Sequence, residues 1–190
     1  QRWLFAVLFH GAESSLKIKR WKMDKGTVHI YYGTGKGKTT AAIGQAIKTA
    51  SEGKTAFVIQ FLKERKEDEI GFLKRLEPEV KLFRFQKSVL SYGDLSDEEQ
   101  ADENQNLRNG LNFAKKVLVT EECDVLVLDE VLGLLRYGIV TAEELRQVIE
   151  ARDENTTVIL TGSDGVEELW DLADEVTELV TRKSAVDNTI

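Results

Sequence analysis

The sequence predicts an α/β fold, a mainly parallel sheet flanked by helices on both faces, and three observations carry that prediction. Short apolar runs rich in β-forming residues alternate with segments of helical periodicity along most of the chain. Asp124–Asp129, DVLVLD, is almost continuously apolar, as a strand buried on both faces must be. Hairpin signals are few and Pro78 is the only proline, so successive strands are expected to be joined by crossovers through helices.

Taken in order, Thr27–Tyr32 alternates and forms the first strand. Thr39–Ser51 follows as a helix with Ala42, Ile43, Ala46, Ile47 and Ala50 on one face. Thr55–Phe61 and Val80–Phe85 read as the second and third strands. Ser96-Asp-Glu-Glu99 is a capping box, in which a hydroxyl and a carboxylate satisfy the free amides of a first turn, and it opens a long helix toward Val119. Asp124–Asp129 is the fourth strand. Thr141-Ala-Glu-Glu144 is a second capping box, followed by Leu145, Val148 and Ile149 at helical spacing. Thr156–Thr161 is the fifth strand, Gly165–Ala173 a short helix carrying Trp170, and Glu175–Val180 a weaker sixth strand.

With 190 residues, 42% hydrophobic and 31% charged, the chain can bury one sizeable core. A net charge of -7 excludes a general nucleic-acid binder, which needs a basic face. The apolar run Trp3–Phe9 is too short to span a bilayer, so no membrane role is expected. Cys123 is the only cysteine, which rules out an intrachain disulfide or a cysteine metal cluster and fits a cytoplasmic location. It precedes an apolar run and reads as a small buried hydrophobe. His29 lies within a strand and reads as structural.

The chemistry concentrates in the stretch GTGKGKTT. It follows a strand and opens a helix, the context of a phosphate-binding loop. Gly33, Gly35 and Gly37 let backbone N–H groups converge on phosphate oxygens, and the helix N-terminus adds partial positive charge. Lys38 supplies a charge to a phosphate, Lys36 a second cation at the tip, and Thr39 a hydroxyl for Mg²⁺. The set Gly33, Thr34, Gly35, Lys36, Gly37, Lys38, Thr39 and Thr40 is therefore expected to bind the phosphates of a nucleotide. The spacing is unusual. The standard pattern has four residues between its first glycine and Gly-Lys-Thr; here there are three, and Tyr32 stands where the glycine should be. The fold is accordingly expected to be P-loop NTPase-like, with residues 23–190 as one nucleotide-binding domain and residues 1–22 as an N-terminal extension or mobile arm.

Asp129 and Glu130 end the apolar run, where a carboxylate in such proteins holds Mg²⁺ or Mn²⁺ directly or through water. Thr39, Asp129 and Glu130 form the candidate metal set, with Lys38 and Glu130 as candidate catalytic residues. A second carboxylate there also suits a general base, so the pair leaves hydrolysis and group transfer both open. Gly162 and Gly165, in ILTGSDG, permit either a ligand-facing turn or an ordinary capped one. Lys63 is a candidate phosphate contact in the charged loop Lys63–Lys66.

Together GTGKGKTTAAIG, VIQFLK, DVLVLDE with YGIVTAEEL, and VILTG with LADEVTEL resemble the corrinoid adenosyltransferases over roughly residues 25–179. The resemblance implies ATP held in a reversed sense by the short loop. It implies attack of a reduced cobalt on the ribose 5′ carbon and departure of inorganic triphosphate. It implies a homodimer, a corrinoid acceptor and a reductase that supplies Co(I). Tyr92, in QKSVLSYGDL, falls in the segment that would contact the corrin. This sequence departs from the family pattern at Lys48 and Ser163, where arginines are usual. It departs again at Ser184-Ala-Val-Asp187, which aligns with a His-x-Phe-Asp run, and the sequence stops at Ile190 ahead of the glycine-rich tail the pattern carries. A P-loop NTPase or kinase cleaving at the β/γ-phosphate, and a non-catalytic nucleotide- or corrinoid-binding module, are the alternative readings.

Overall fold

A computed structural model describes residues 25–62 and 73–184. The arm of residues 1–22, the Lys63–Lys66 loop and Ala185–Asp187 lie outside the described residues.

Six strands form a single sheet: β1 (Val28–Tyr32), β2 (Ala56–Gln60), β3 (Val80–Arg84), β4 (Val125–Asp129), β5 (Thr157–Gly162) and β6 (Glu175–Glu178). Their order is β3-β2-β4-β5-β1-β6, and every pairing is parallel. The apolar runs explain the placement. β2 and β4 are buried at all five positions and lie inside the sheet, while β6 is half-exposed and lies at an edge. His29 meets its register partner Glu175 across β1 and β6, with Nδ1 3.5 Å from the carboxylate and Nε2 2.7 Å from the Thr27 hydroxyl. It ties strands together, as its position suggests.

Helices cover both faces. On one, α1 (Lys38–Ser51) sets fully buried Ala42 and Ala46 against Val58, Val127 and Ile159. Those small side chains let the helix lie close to the sheet. The predicted apolar face is narrower than the pattern implies, since Ile47 falls on the helix flank and is 40% exposed. On the other face, α2 (Asp97–Val119) and α4 (Ala142–Glu150) bury Leu107, Ala114 and Leu145 against Ile30, Ile59, Leu128 and Leu160. Each fully buried leucine or isoleucine among them contributes about 1.5–3 kcal/mol relative to exposure.

Both capping boxes form. Ser96 N–H donates to Glu99 Oε2 at 2.9 Å and Thr141 N–H to Glu144 Oε2 at 2.7 Å, while each hydroxyl accepts from the glutamate amide. The segment with Trp170 departs from expectation. It is a 3₁₀ turn, Glu167–Leu172, led by Val166 with no side-chain cap. A short helix, α3 (Leu132–Arg136), follows β4 directly and has no sequence signal, because Val131 starts it uncapped.

Cys123 is buried, and burial, reinforced by Asp124 and Glu122, pushes its thiol up to about 12. A thiol reagent is therefore expected to leave the folded protein unlabelled at pH 8 and to label it fully after denaturation; fast labelling of the native protein would contradict this burial. Gly110, in α2, is packed under two aromatic rings. A Cβ there would come within 2.6 Å of Phe85 Cγ and 2.9 Å of Phe61 Cε1. Gly110→Ala should lower stability by about 1–3 kcal/mol, despite alanine's higher helix propensity. A thermal melt with an unchanged or raised midpoint would refute the packing.

Candidate active site

The glycine loop connects β1 to α1 at the carboxyl edge of the sheet, where open parallel sheets bind ligands. Gly33 and Gly37 adopt φ of 115° and 107°, and Gly37 is the N-cap of α1. Only glycine takes these values without strain. A Cβ at Gly33 or Gly35 would also lie 2.5 Å from the Leu179 carbonyl oxygen. That close approach is used: Gly35 N–H donates to Leu179 O at 2.8 Å, Leu179 N–H to Tyr32 O at 2.7 Å, and Lys36 N–H to Thr181 Oγ1 at 3.2 Å. The stretch after β6 thus braces the outer side of the loop. Lys38 donates from Nζ to the carbonyls of Gly33 (2.6 Å) and Gly35 (2.9 Å), which keeps its ammonium inside the loop. Thr34, Lys36 and Thr40 are exposed on the same turn.

Asp129 and Glu130 stand at the end of β4 and differ in environment. Asp129 is fully buried and accepts from Thr39 Oγ1 at 2.9 Å, Thr161 Oγ1 at 2.7 Å and Gln60 Nε2 at 3.0 Å. Glu130 has φ of 62°, a left-handed value that costs a glutamate energy and turns the chain sharply out of the strand. Its amide donates to Thr161 Oγ1 at 2.8 Å, and Ser163 Oγ lies 3.4 Å from its Oε1. The structure therefore brings Thr39, Asp129 and Glu130 to one edge next to the loop. Among the described residues no three His, Cys, Asp or Glu side chains cluster as a self-contained metal cage. A hydroxyl and two carboxylates, all oxygen donors, fit Mg²⁺ or Mn²⁺, which take few protein ligands and fill the remaining positions with phosphate and water.

A cavity of about 230 Å³ opens beside Glu130, lined by Leu62, Gly133, Arg136, Tyr137, Ser163 and Asp164. Arg136 and Tyr137 come from α3 and its end; neither stood among the site residues expected from sequence, although Tyr137 opens the stretch YGIVTAEEL. Tyr92 is only 7% exposed; its hydroxyl donates to Asn104 Oδ1 at 2.6 Å and its ring packs 4.6 Å from that of Tyr137, which is 42% exposed. Tyr137 thus presents the aromatic surface and Tyr92 supports it from beneath. The glycines of ILTGSDG have packing reasons: a Cβ on Gly162 would strike Leu132 at 2.4 Å, and one on Gly165 the Tyr32 ring at 2.8 Å. Lys48 is exposed on α1. A larger cleft of about 310 Å³ lies near the opposite end of the strands, between Lys25, His29, Lys54 and Asp124, away from the loop.

Comparison with known proteins agrees with this arrangement. The family model described as ATP:corrinoid adenosyltransferase BtuR/CobO/CobP matches residues 24–190. The corrinoid adenosyltransferase of Escherichia coli K12 is 31% identical over 172 residues, covering 90% of this chain and 85% of that protein. The corrinoid adenosyltransferase CobA of Salmonella typhimurium LT2 is 31% identical over 171 residues, with the same 90% and 85% coverage. A KaiC-like protein from Pyrococcus horikoshii OT3 shares the fold, with a TM-score of 0.51 at 22% identity over 84% of this chain and 75% of that one. A match that runs from the residue before the first described one to the end of the sequence, through a loop and carboxylate pair that the structure brings together, places this chain in the ATP:corrinoid adenosyltransferase family.

Proposed function

We propose that this protein transfers the 5′-deoxyadenosyl group of ATP to the cobalt of a reduced corrinoid. The observation that carries the reading is the shortened loop, whose glycines, Lys38 and helix N-terminus form a compact anion cradle next to Thr39, Asp129 and Glu130. In the reaction the Co(I) electron pair attacks the ribose 5′ carbon, the C5′–O bond breaks, and its electrons leave with the triphosphate. No side-chain nucleophile is needed, which suits a site without a Ser/His or Cys/His pair.

What the chain supplies is charge and position. Negative charge grows on the departing triphosphate, and Lys38, Lys36, the Gly37 amide and the start of α1 oppose it, while the Gly33 and Gly35 amides donate to Ser163 O at 3.2 Å and Leu179 O at 2.8 Å and hold the shape of the loop. Thr34, Thr39 and Thr40 add hydroxyls along the same turn. A divalent cation, Mg²⁺ or Mn²⁺, held by Thr39 with Asp129 and Glu130, would neutralise phosphate charge when bound. On the acceptor side, the cavity next to Glu130 and the exposed ring of Tyr137, supported by Tyr92, suit a flat apolar substrate edge. The corrinoid reading extends to a homodimer and to a reductase that delivers Co(I), both carried by family membership alone.

Product identity tests the reaction. With MgATP and a reduced corrinoid, inorganic triphosphate should appear together with a cobalt–carbon bond. ADP or orthophosphate formed without corrinoid would instead establish an NTPase, and bound but unconverted ATP a binding module. Lys38→Ala should lower kcat by about 10²–10³-fold with an unchanged far-UV spectrum; near-normal turnover would remove the loop from the mechanism. Tyr137→Ala should raise the KM for corrinoid several-fold while leaving the KM for ATP in place, and equal changes in both would disprove an acceptor-side role.

A further inference from the structure

The last residues of three neighbouring strands stand in one row. Arg84 of β3 is the register partner of Gln60 of β2, and Gln60 is the register partner of Asp129 of β4. In a parallel sheet such partners point to the same face, and here it is the face covered by α1. The row is hydrogen-bonded throughout. Arg84 Nε donates to Gln60 Oε1 at 3.0 Å, and Gln60 Nε2 donates to Asp129 Oδ2 at 3.0 Å. Asp129 Oδ1 in turn accepts the Thr39 hydroxyl at 2.9 Å. Gln60 is 1% exposed and Asp129 0%, so their contact is closed to water, while Arg84 and Thr39 at the two ends of the row are partly exposed.

The direction of the chain follows from donor chemistry. A glutamine amide has two faces, and either one fits the space between its neighbours. Turned the wrong way, its oxygen would meet the Asp129 carboxylate and its NH₂ would meet a guanidinium, two repulsive contacts in a dry environment. The Asp129 carboxylate only accepts and the Arg84 guanidinium only donates, so both neighbours favour the orientation that points the NH₂ group at Asp129, and Arg84 reinforces it from the outer side. Asp129 held this way takes the proton of the Thr39 hydroxyl as its hydrogen-bond donor. That contact sets the orientation of Thr39, the hydroxyl of the proposed cation site.

We infer that Arg84 is a positioning residue for the metal–nucleotide site, acting through Gln60 and Asp129 on Thr39 from the far edge strand of the sheet. The inference rests on the metal role proposed above for Thr39 and Asp129. Outer contacts of this kind usually alter metal affinity by about 10–100-fold when removed.

The test compares ATP binding by calorimetry with and without Mg²⁺, in the wild type, Arg84→Met, Gln60→Leu and the double variant. Methionine keeps the aliphatic stem of Arg84 and removes every donor. Arg84→Met should reduce the Mg²⁺-dependent gain in ATP affinity about tenfold. Metal-free ATP affinity, which reports an intact loop, should be unchanged. The double variant should lose no more than Gln60→Leu alone, because both substitutions break one chain. A wild-type metal gain retained by Arg84→Met overturns the inference, as do losses that add in the double variant or a fall in metal-free ATP affinity equal to the fall with Mg²⁺. Absence of any Mg²⁺-dependent gain in the wild type overturns the metal reading itself, and the role of Arg84 with it.

Discussion

A carboxylate removed from water costs several kcal/mol unless donors replace its hydration. Asp129 is fully buried, and its donors come from Thr39 in α1, Thr161 in β5 and Gln60 in β2. The position of each element is therefore constrained by a single group. If α1 were displaced, Thr39 would leave a buried anion short of a partner; if β5 slipped by one residue, Thr161 would turn to the opposite face. Thr161 also accepts the amide of Glu130, so the same hydroxyl that satisfies one carboxylate fixes the backbone of the next. Local strain at Glu130, with its left-handed φ, is held in place by that contact.

Membership in the ATP:corrinoid adenosyltransferase family and the geometry of the loop point the same way. The two carboxylates sit in different surroundings: Asp129 is enclosed and accepts from three side chains, while Glu130 faces a cavity and, among the described residues, its side chain accepts from Ser163 Oγ at 3.4 Å. Adjacent acidic residues of similar chemistry thereby face different surroundings: Asp129 orients the Thr39 hydroxyl and Glu130 borders an open cavity. The burial of Asp129 also explains why a strand of apolar residues ends in two acids without losing its place at the centre of the sheet.

Much of this was legible in the sequence because the signals are local. The strand–loop–helix context of the glycine stretch, the two capping boxes and the run DVLVLD each depend on residues close in sequence, and each folds as read. The burial of Cys123 and the structural place of His29 follow from the same kind of pattern. What escaped depends on pairing between distant segments. Gln60 and Arg84 look like ordinary polar residues in apolar strands until the order β3-β2-β4 sets them beside Asp129. Arg136 ends and Tyr137 follows a helix with no capping side chain, so no helix signal marked them. Tyr92 is buried, and its ring neighbour Tyr137 takes the exposed position, which no pattern within QKSVLSYGDL foretells. The turn at Glu167–Leu172 has helical composition but lacks a capping side chain, and a tighter coil results.

The contact between the glycine loop and Leu179 has a consequence for how the molecule breathes. β6 is an edge strand paired only to β1, and its four residues are partly or fully exposed. Edge elements with few buried contacts open at low free-energy cost, in cooperative units with whatever they hold. Leu179 follows β6 directly and bonds both to Tyr32 at the end of β1 and to Gly35 in the loop. Excursions of the edge strand and of the phosphate cradle are thus a single event. Amide exchange along Glu175–Leu179 becomes an indirect gauge of what occupies a loop some 140 residues earlier in the chain, as a matter of linkage between local opening and binding.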